Sequence, residues 1–157
     1  MSLLNNLQQL CIEKGVSIAV AESCTAGLIA SKLTTLSNSS SYFKGGVVAY
    51  RNEIKIKILG VSQSMINEKT EVSTDVVIQM AESVLKNFDA DFAIATSGYA
   101  GPTGGTNKNP IGTVFIAIAS VSGIVASRFT FSGSRQSIVN QSSEIALDLL
   151  YTEIKKQ

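Results

Sequence analysis

The chain reads as a single α/β domain, a three-layer α/β/α sandwich whose mixed, mostly parallel sheet carries a C-terminal β-hairpin. Three observations lead there. Apolar runs of strand length, Val16 to Ala21, Gly45 to Tyr50 and Phe92 to Thr96, alternate with segments of helical spacing, as strands joined by covering helices do. Two further apolar runs, Thr113 to Val121 and Ile124 to Phe131, flank Ser122-Gly123, a hairpin signal. The 157 residues, 45% hydrophobic and only 16% charged, suffice for one buried core, and no internal repeat or interdomain linker divides them.

Each element has its own signal. Leu3, Leu4, Leu7, Leu10 and Cys11 recur at helical spacing, and Gly15 stands where a left-handed residue ends a helix. After the first strand, residues 24–34 (Ala26, Leu28, Ile29, Ala30, Leu33) predict a small-residue helix, and Ser37 to Ser41 a polar loop. Asn52 is placed to cap a short helix carrying Lys55 and Lys57, ended by Gly60. Ser73 then caps an amphipathic helix with Val76, Val77, Met80, Ala81, Val84, Leu85 and Phe88 on one face, and Ser134 opens a terminal helix through Ile138, Ile145, Leu149 and Leu150.

Thirteen basic against twelve acidic side chains give a net charge of +1, with no basic cluster before Lys155-Lys156, so nucleic-acid binding has no electrostatic footprint. There is no histidine, and Cys11 and Cys24 have no metal-ligand spacing, so neither a metal nor any other cofactor is expected. The amino end lacks the basic region, apolar stretch and cleavage site of a secretory signal, and no run approaches the roughly 18–20 apolar residues of a membrane span. A cytoplasmic protein without membrane partners is the expectation.

Chemistry concentrates at three strand ends. Ser23 lies on the turn from the first strand into the next helix, where a hydroxyl can be presented with the backbone N–H groups of that helix pointing at whatever it attacks, although serine at a helix start is most often only a cap. Without histidine, a nucleophilic Ser23 needs another base, and Lys55, past the second strand, is the first candidate. A solvated lysine beside Lys57 is the plainer reading, as is a packing role for Tyr50. Ser97 to Gly112 holds five glycines and both prolines; it fits neither common nucleotide fingerprint and serves equally as a structural turn or a phosphate loop. Cys24 reads as a buried packing residue rather than a reactive thiol. Arg135 is suited to bidentate phosphate binding, or to a surface ion pair.

The blocks Ala21-Glu22-Ser23-Cys24-Thr25-Ala26-Gly27, Ser41 to Tyr50 with Asn52-Glu53 and Lys55, Leu59-Gly60-Val61, and Gly98 to Thr106 resemble the C-terminal domain of the CinA family over nearly the whole chain. The resemblance implies a nicotinamide-nucleotide amidohydrolase, which converts nicotinamide mononucleotide to nicotinate mononucleotide and ammonia in pyridine nucleotide recycling. It implies Ser23 as nucleophile, Lys55 as its base and Tyr50 as a hydroxyl that orients or relays the proton. It places Ser97, Gly101, Thr103, Gly104, Gly105, Thr106 and Arg135 around the substrate. Larger relatives add an N-terminal domain for which 157 residues leave no room. Two blocks depart from the pattern. Val139 stands where a second arginine is common, and Thr70-Glu71-Val72-Ser73 replaces a block usually written G-A-V-S.

The sequence thus predicts a serine amidohydrolase with a lysine base, a mononucleotide substrate, and a homodimeric state. Its rival is a non-catalytic nucleotide-binding or partner module related to competence-damage-inducible proteins.

Overall fold

The computed structural model describes residues 2–157. Strands β1 (Ile18–Glu22), β2 (Phe43–Val48), β3 (Phe92–Gly98), β4 (Thr113–Ser120) and β5 (Gly123–Thr130) form one sheet in the order β2-β1-β3-β4-β5. β1 pairs in parallel with β2 and β3, and β4 pairs antiparallel with β3 and β5, so four strands share a direction that β4 alone opposes. Helices α1 (Leu3–Lys14), α2 (Leu28–Leu33), α3 (Asn52–Lys57), α4 (Gln63–Lys69), α5 (Thr74–Asn87) and α6 (Arg135–Lys155) complete the mixed α/β fold expected from the sequence.

The strands alternate large and small side chains, and that alternation divides the core. Ile18, Val20, Phe92, Ile94, Val114, Ile116 and Ile118 face α1, α2 and α6, meeting Leu7, Ile29, Leu33, Leu147, Leu150 and Ile154. The opposite face is mostly alanine: Ala19, Ala21, Ala93, Ala95, Ala117 and Ala119 lie under Val76, Val77, Met80, Ala81 and Val84 of α5. Successive strand residues point to opposite faces, so the period of two sets both layers.

Most helix ends follow the local chemistry of their residues. Ser73 and Ser134 accept from the N–H groups of Val76 and Ser137, and Gly15 ends α1 at φ 65°. Other boundaries differ from the sequence expectation for identifiable reasons. The first strand starts at Ile18 because the Val16 N–H is still bonded to Cys11 of α1, while the Ser17 N–H donates to the Asp91 carboxylate. β2 stops at Val48, leaving Tyr50 beyond the strand. Arg51, not Asn52, is the extended residue before α3, and its side chain makes no capping bond. α4, capped by Ser62, was not expected at all. The hairpin turns on Val121-Ser122, since Gly123 already pairs with Ser120 in β5.

α2 starts at Leu28, later than the 24–34 expectation, with Ala26 (φ 48°) and Gly27 (φ 95°) both left-handed before it. Because β1, β2 and β3 are parallel, their carboxyl ends and following turns emerge along one edge of the sheet, the usual ligand position in open α/β sheets.

Candidate active site

At that edge a cleft of about 590 Å³ is lined by Ser23, Cys24, Tyr50, Arg51, Lys55, Glu71, Ser97, Tyr99, Gly101, Thr103 and Arg135, among others. The structure therefore brings together the three residues assigned to chemistry and four of the seven assigned to substrate. Gly104, Gly105 and Thr106 lie outside its lining. Thr106 closes a turn with Asn109, its N–H donating to the Asn109 carbonyl (2.8 Å) and its hydroxyl accepting from the Asn109 N–H (2.9 Å). A side chain at Gly105 would come within 2.9 Å of the Ile111 nitrogen, so its φ of 78° serves the loop's own folding.

Ser23 directly follows β1 and is 7% exposed; its N–H donates to the Thr96 carbonyl at 3.1 Å. It does not cap α2. The first N–H groups of that helix are engaged by Glu22, whose fully buried carboxylate accepts from Ile29 N (2.9 Å), Ala30 N (3.0 Å) and the Thr25 hydroxyl (2.6 Å). The sequence expectation that these amides face the reacting group is corrected accordingly: an anion of the protein occupies them. Among the described residues no hydrogen bond ties the Ser23 hydroxyl to another side chain, so it is a small, unencumbered oxygen in the cleft wall.

Lys55 is not a solvated surface lysine. It is 1% exposed, and its amine donates to the Tyr50 carbonyl at 3.1 Å. Burial holds its pKa below the usual lysine value, with the Glu71 carboxylate and then Cys24 pulling it partly back up. Burial likewise pushes the Cys24 thiol up to about 12, more than the Thr96 hydrogen bond and the Lys55 charge lower it. Cys24 therefore stays a protonated packing residue in the same cleft.

Tyr50 is 52% exposed, and its hydroxyl accepts from the Arg135 guanidinium at 2.7 Å. The other arm of Arg135 donates to the Gly101 carbonyl, also at 2.7 Å, and among the described residues no carboxylate pairs with this cation. This Tyr50–Arg135 bar separates the cleft from a second, more open hollow beyond it, lined by Gly27, Leu28, Ser31, Gln136 and Val139. Ser97 is buried, its hydroxyl donating to the Glu71 carbonyl at 2.7 Å, which fixes the 70–73 loop against β3.

Glu71 and Glu22 are the site residues that reading for function missed. Each lay inside a quoted block, Glu22 just before the serine and Glu71 where alanine is usual, and that departure was the available signal. Asn109 is a third: its side chain donates to the Val72 carbonyl (3.2 Å) and accepts from Arg128 (3.3 Å), locking the glycine-rich loop to the 70–73 loop.

Relatives agree with this architecture. A CinA-like protein of Flavobacterium psychrophilum is 46% identical over 150 residues, covering 96% of this chain, and a putative competence-damage inducible protein of Halothermothrix orenii is 40% identical over 98% of it. The chain spans 36% and 38% of their respective lengths. The crystal structure of a competence-damaged protein (CinA) superfamily protein from Klebsiella pneumoniae superimposes with a TM-score of 0.95 at 32% identity, covering 99% of this chain and 97% of that one. A counterpart from Enterobacter cloacae gives 0.92 at 35% identity, covering 97% of this chain and 90% of the other. The family model described as the CinA C-terminal domain matches residues 1–154, and on that match and these identities the chain belongs to the CinA family.

Proposed function

We propose that this domain hydrolyses the carboxamide of nicotinamide mononucleotide, releasing ammonia and nicotinate mononucleotide, through an acyl-enzyme on Ser23. The observation that carries the reading is the convergence on one cleft of an unencumbered serine, a buried lysine of lowered pKa and an arginine that, among the described residues, has no acidic partner. Neutral Lys55 takes the Ser23 proton as Oγ attacks the carboxamide carbon. The oxyanion is met by the N–H of Cys24, the residue after the nucleophile, as in other serine hydrolases built on strand-to-helix turns. Collapse breaks the C–N bond, and the lysine proton leaves with the amine as ammonia. Water then attacks the acyl carbon, passing its proton to Lys55, and Ser23 departs with it, leaving a carboxylic acid.

Tyr50 sits at the mouth of this exchange, its backbone carbonyl holding the lysine amine and its hydroxyl holding Arg135. The phosphate is assigned to Arg135, which is bonded to the Gly101 carbonyl and lines the cleft together with Thr103. The rival reading, a nucleotide-binding module without turnover, is favoured by one feature: the Lys55 amine points its bond at the Tyr50 carbonyl rather than at Ser23. Ammonia release from nicotinamide mononucleotide by the purified protein decides between them, and mass spectrometry of a stalled reaction is expected to place the adduct on the peptide containing Ser23. Tight binding of the nucleotide with no ammonia would favour the rival.

A further inference from the structure

The cleft carries an anion that the reaction above does not use. Glu71 lines it, half-buried, and among the described residues no lysine or arginine pairs with its carboxylate. Its backbone is unusually well held for a loop residue. The Ser97 hydroxyl fixes its carbonyl, the Thr70 hydroxyl accepts the Val72 N–H at 3.3 Å, and Asn109 holds the Val72 carbonyl. Glu71 is also close enough to Lys55 and Tyr99 to act on both electrostatically. These bonds hold the backbone and leave the carboxylate itself in the cleft wall with no side-chain hydrogen bond among the described residues, where a cationic ligand can meet it.

Arg135 presents the opposite case, a cation held, among the described residues, by a carbonyl and a hydroxyl and by no carboxylate. The two charges stand on separate elements, Glu71 on the 70–73 loop and Arg135 on the first turn of α6, and among the described residues they share no hydrogen-bond partner, so the cleft has one positive and one negative station. A ligand with an anionic group and a cationic ring is complementary to that pair.

We infer that Glu71 recognises the positive charge of a quaternary pyridinium ring, making the cleft selective for oxidised pyridine nucleotides over carboxamides on a neutral ring. This inference rests on the substrate class proposed above. The phosphate goes to Arg135, the ring lies toward Glu71, and the carboxamide is presented to Ser23. Glu71 is thus a specificity residue and takes no proton in the reaction.

The test compares nicotinamide mononucleotide with its dihydro form, which keeps the carboxamide, ribose and phosphate but has an uncharged ring. Binding of both is measured by calorimetry on Ser23→Ala protein, so that turnover plays no part, and again with Glu71→Gln or Glu71→Ala added. The cationic form is expected to bind about tenfold more tightly or better when Glu71 is present, as a charge-assisted contact implies, and the ratio is expected to fall toward one in either double variant. Ribose 5-phosphate, which lacks the ring, is expected to bind all three proteins alike. A ratio unchanged by loss of the carboxylate overturns the inference, as does failure of both nucleotides to bind. The parent reading fails separately: charge-selective binding without ammonia release by the unmutated protein removes the hydrolase and leaves the recognition group, whereas ammonia release with an unchanged ratio removes only the role of Glu71.

Discussion

A lysine that is 1% exposed costs folding free energy whenever its amine is protonated, and Lys55 bears that cost. Its folded pKa lies below the unfolded value, so the unfolded chain holds the extra proton; stability falls as pH drops from the unfolded value of 10.5 through the folded one, and rises again on the way up. Lys55→Met is therefore expected to raise the denaturation midpoint near neutral pH, with the gain shrinking toward pH 10.5, while kcat falls by about 10²–10⁴ as for loss of a general base. In the proposed reaction the same titration governs activity. Ammonia release is expected to increase with pH through an apparent pKa below that of free lysine, because only the neutral amine accepts a proton. Unchanged stability and a flat pH–rate profile would mark Lys55 as a bystander. Ser23→Ala is expected to abolish turnover yet to cost less than the roughly 0.5–2 kcal/mol of a lost helix cap, since Ser23 caps nothing here.

At the scale of elements, the turn from β1 into α2 is organised by Glu22 more than by Ser23. Glu22→Gln keeps the shape but turns one acceptor into a donor facing backbone N–H groups. It is expected to cost about 1.5–3 kcal/mol in urea unfolding, as hydrogen bonds to a charged group do, and a change near zero would show that the carboxylate does not anchor the helix. This turn also shows where sequence reading stopped. Ser73 and Ser134 were legible as caps because each partner lies three residues on, whereas Glu22 reaches seven and eight residues ahead and leaves no such spacing. α4 was missed because only Met65 and Ile66 in its seven residues are apolar, too few to show a period. Although β2 ends two residues before Tyr50 and β3 runs on through Ser97 to Gly98, that Ser23, Tyr50 and Ser97 stand at or near strand ends was readable from apolar runs. Which loop residues turn into the cleft was not, since Glu71 and Thr106 look alike as polar loop residues and only the tertiary fold separates them. Arg135, at the first turn of α6, joins two loops distant in sequence. Arg135→Ala is expected to reduce kcat/KM for nicotinamide mononucleotide far more than for nicotinamide riboside, and comparable values for the two substrates in the unmutated protein would remove phosphate from the recognition scheme.

Across the whole molecule, the two faces of the sheet have different tolerances. Ile94→Val removes one methyl from the face under α1 and α6 and is expected to cost about 0.5–1.5 kcal/mol. Ala95→Val adds two methyls to the neighbouring position under α5, where overpacking typically costs about 1–3 kcal/mol, so the smaller, more conservative-looking residue is expected to be the less replaceable. Chemical denaturation of both variants checks the order, and equal losses would mean that α5 has room to lift. The alanine layer thereby acts as a mechanical reference. Ser23, on the turn after β1, and Ser97, near the end of β3, are carried by strands that present alanines to α5 and are fixed in height by the close seat of that helix, while the branched layer behind them can exchange one aliphatic shape for another. Sequence drift is thus channelled to the far side of the sheet, and the depth of the cleft floor is set by residues whose single methyl leaves no room for a larger shape.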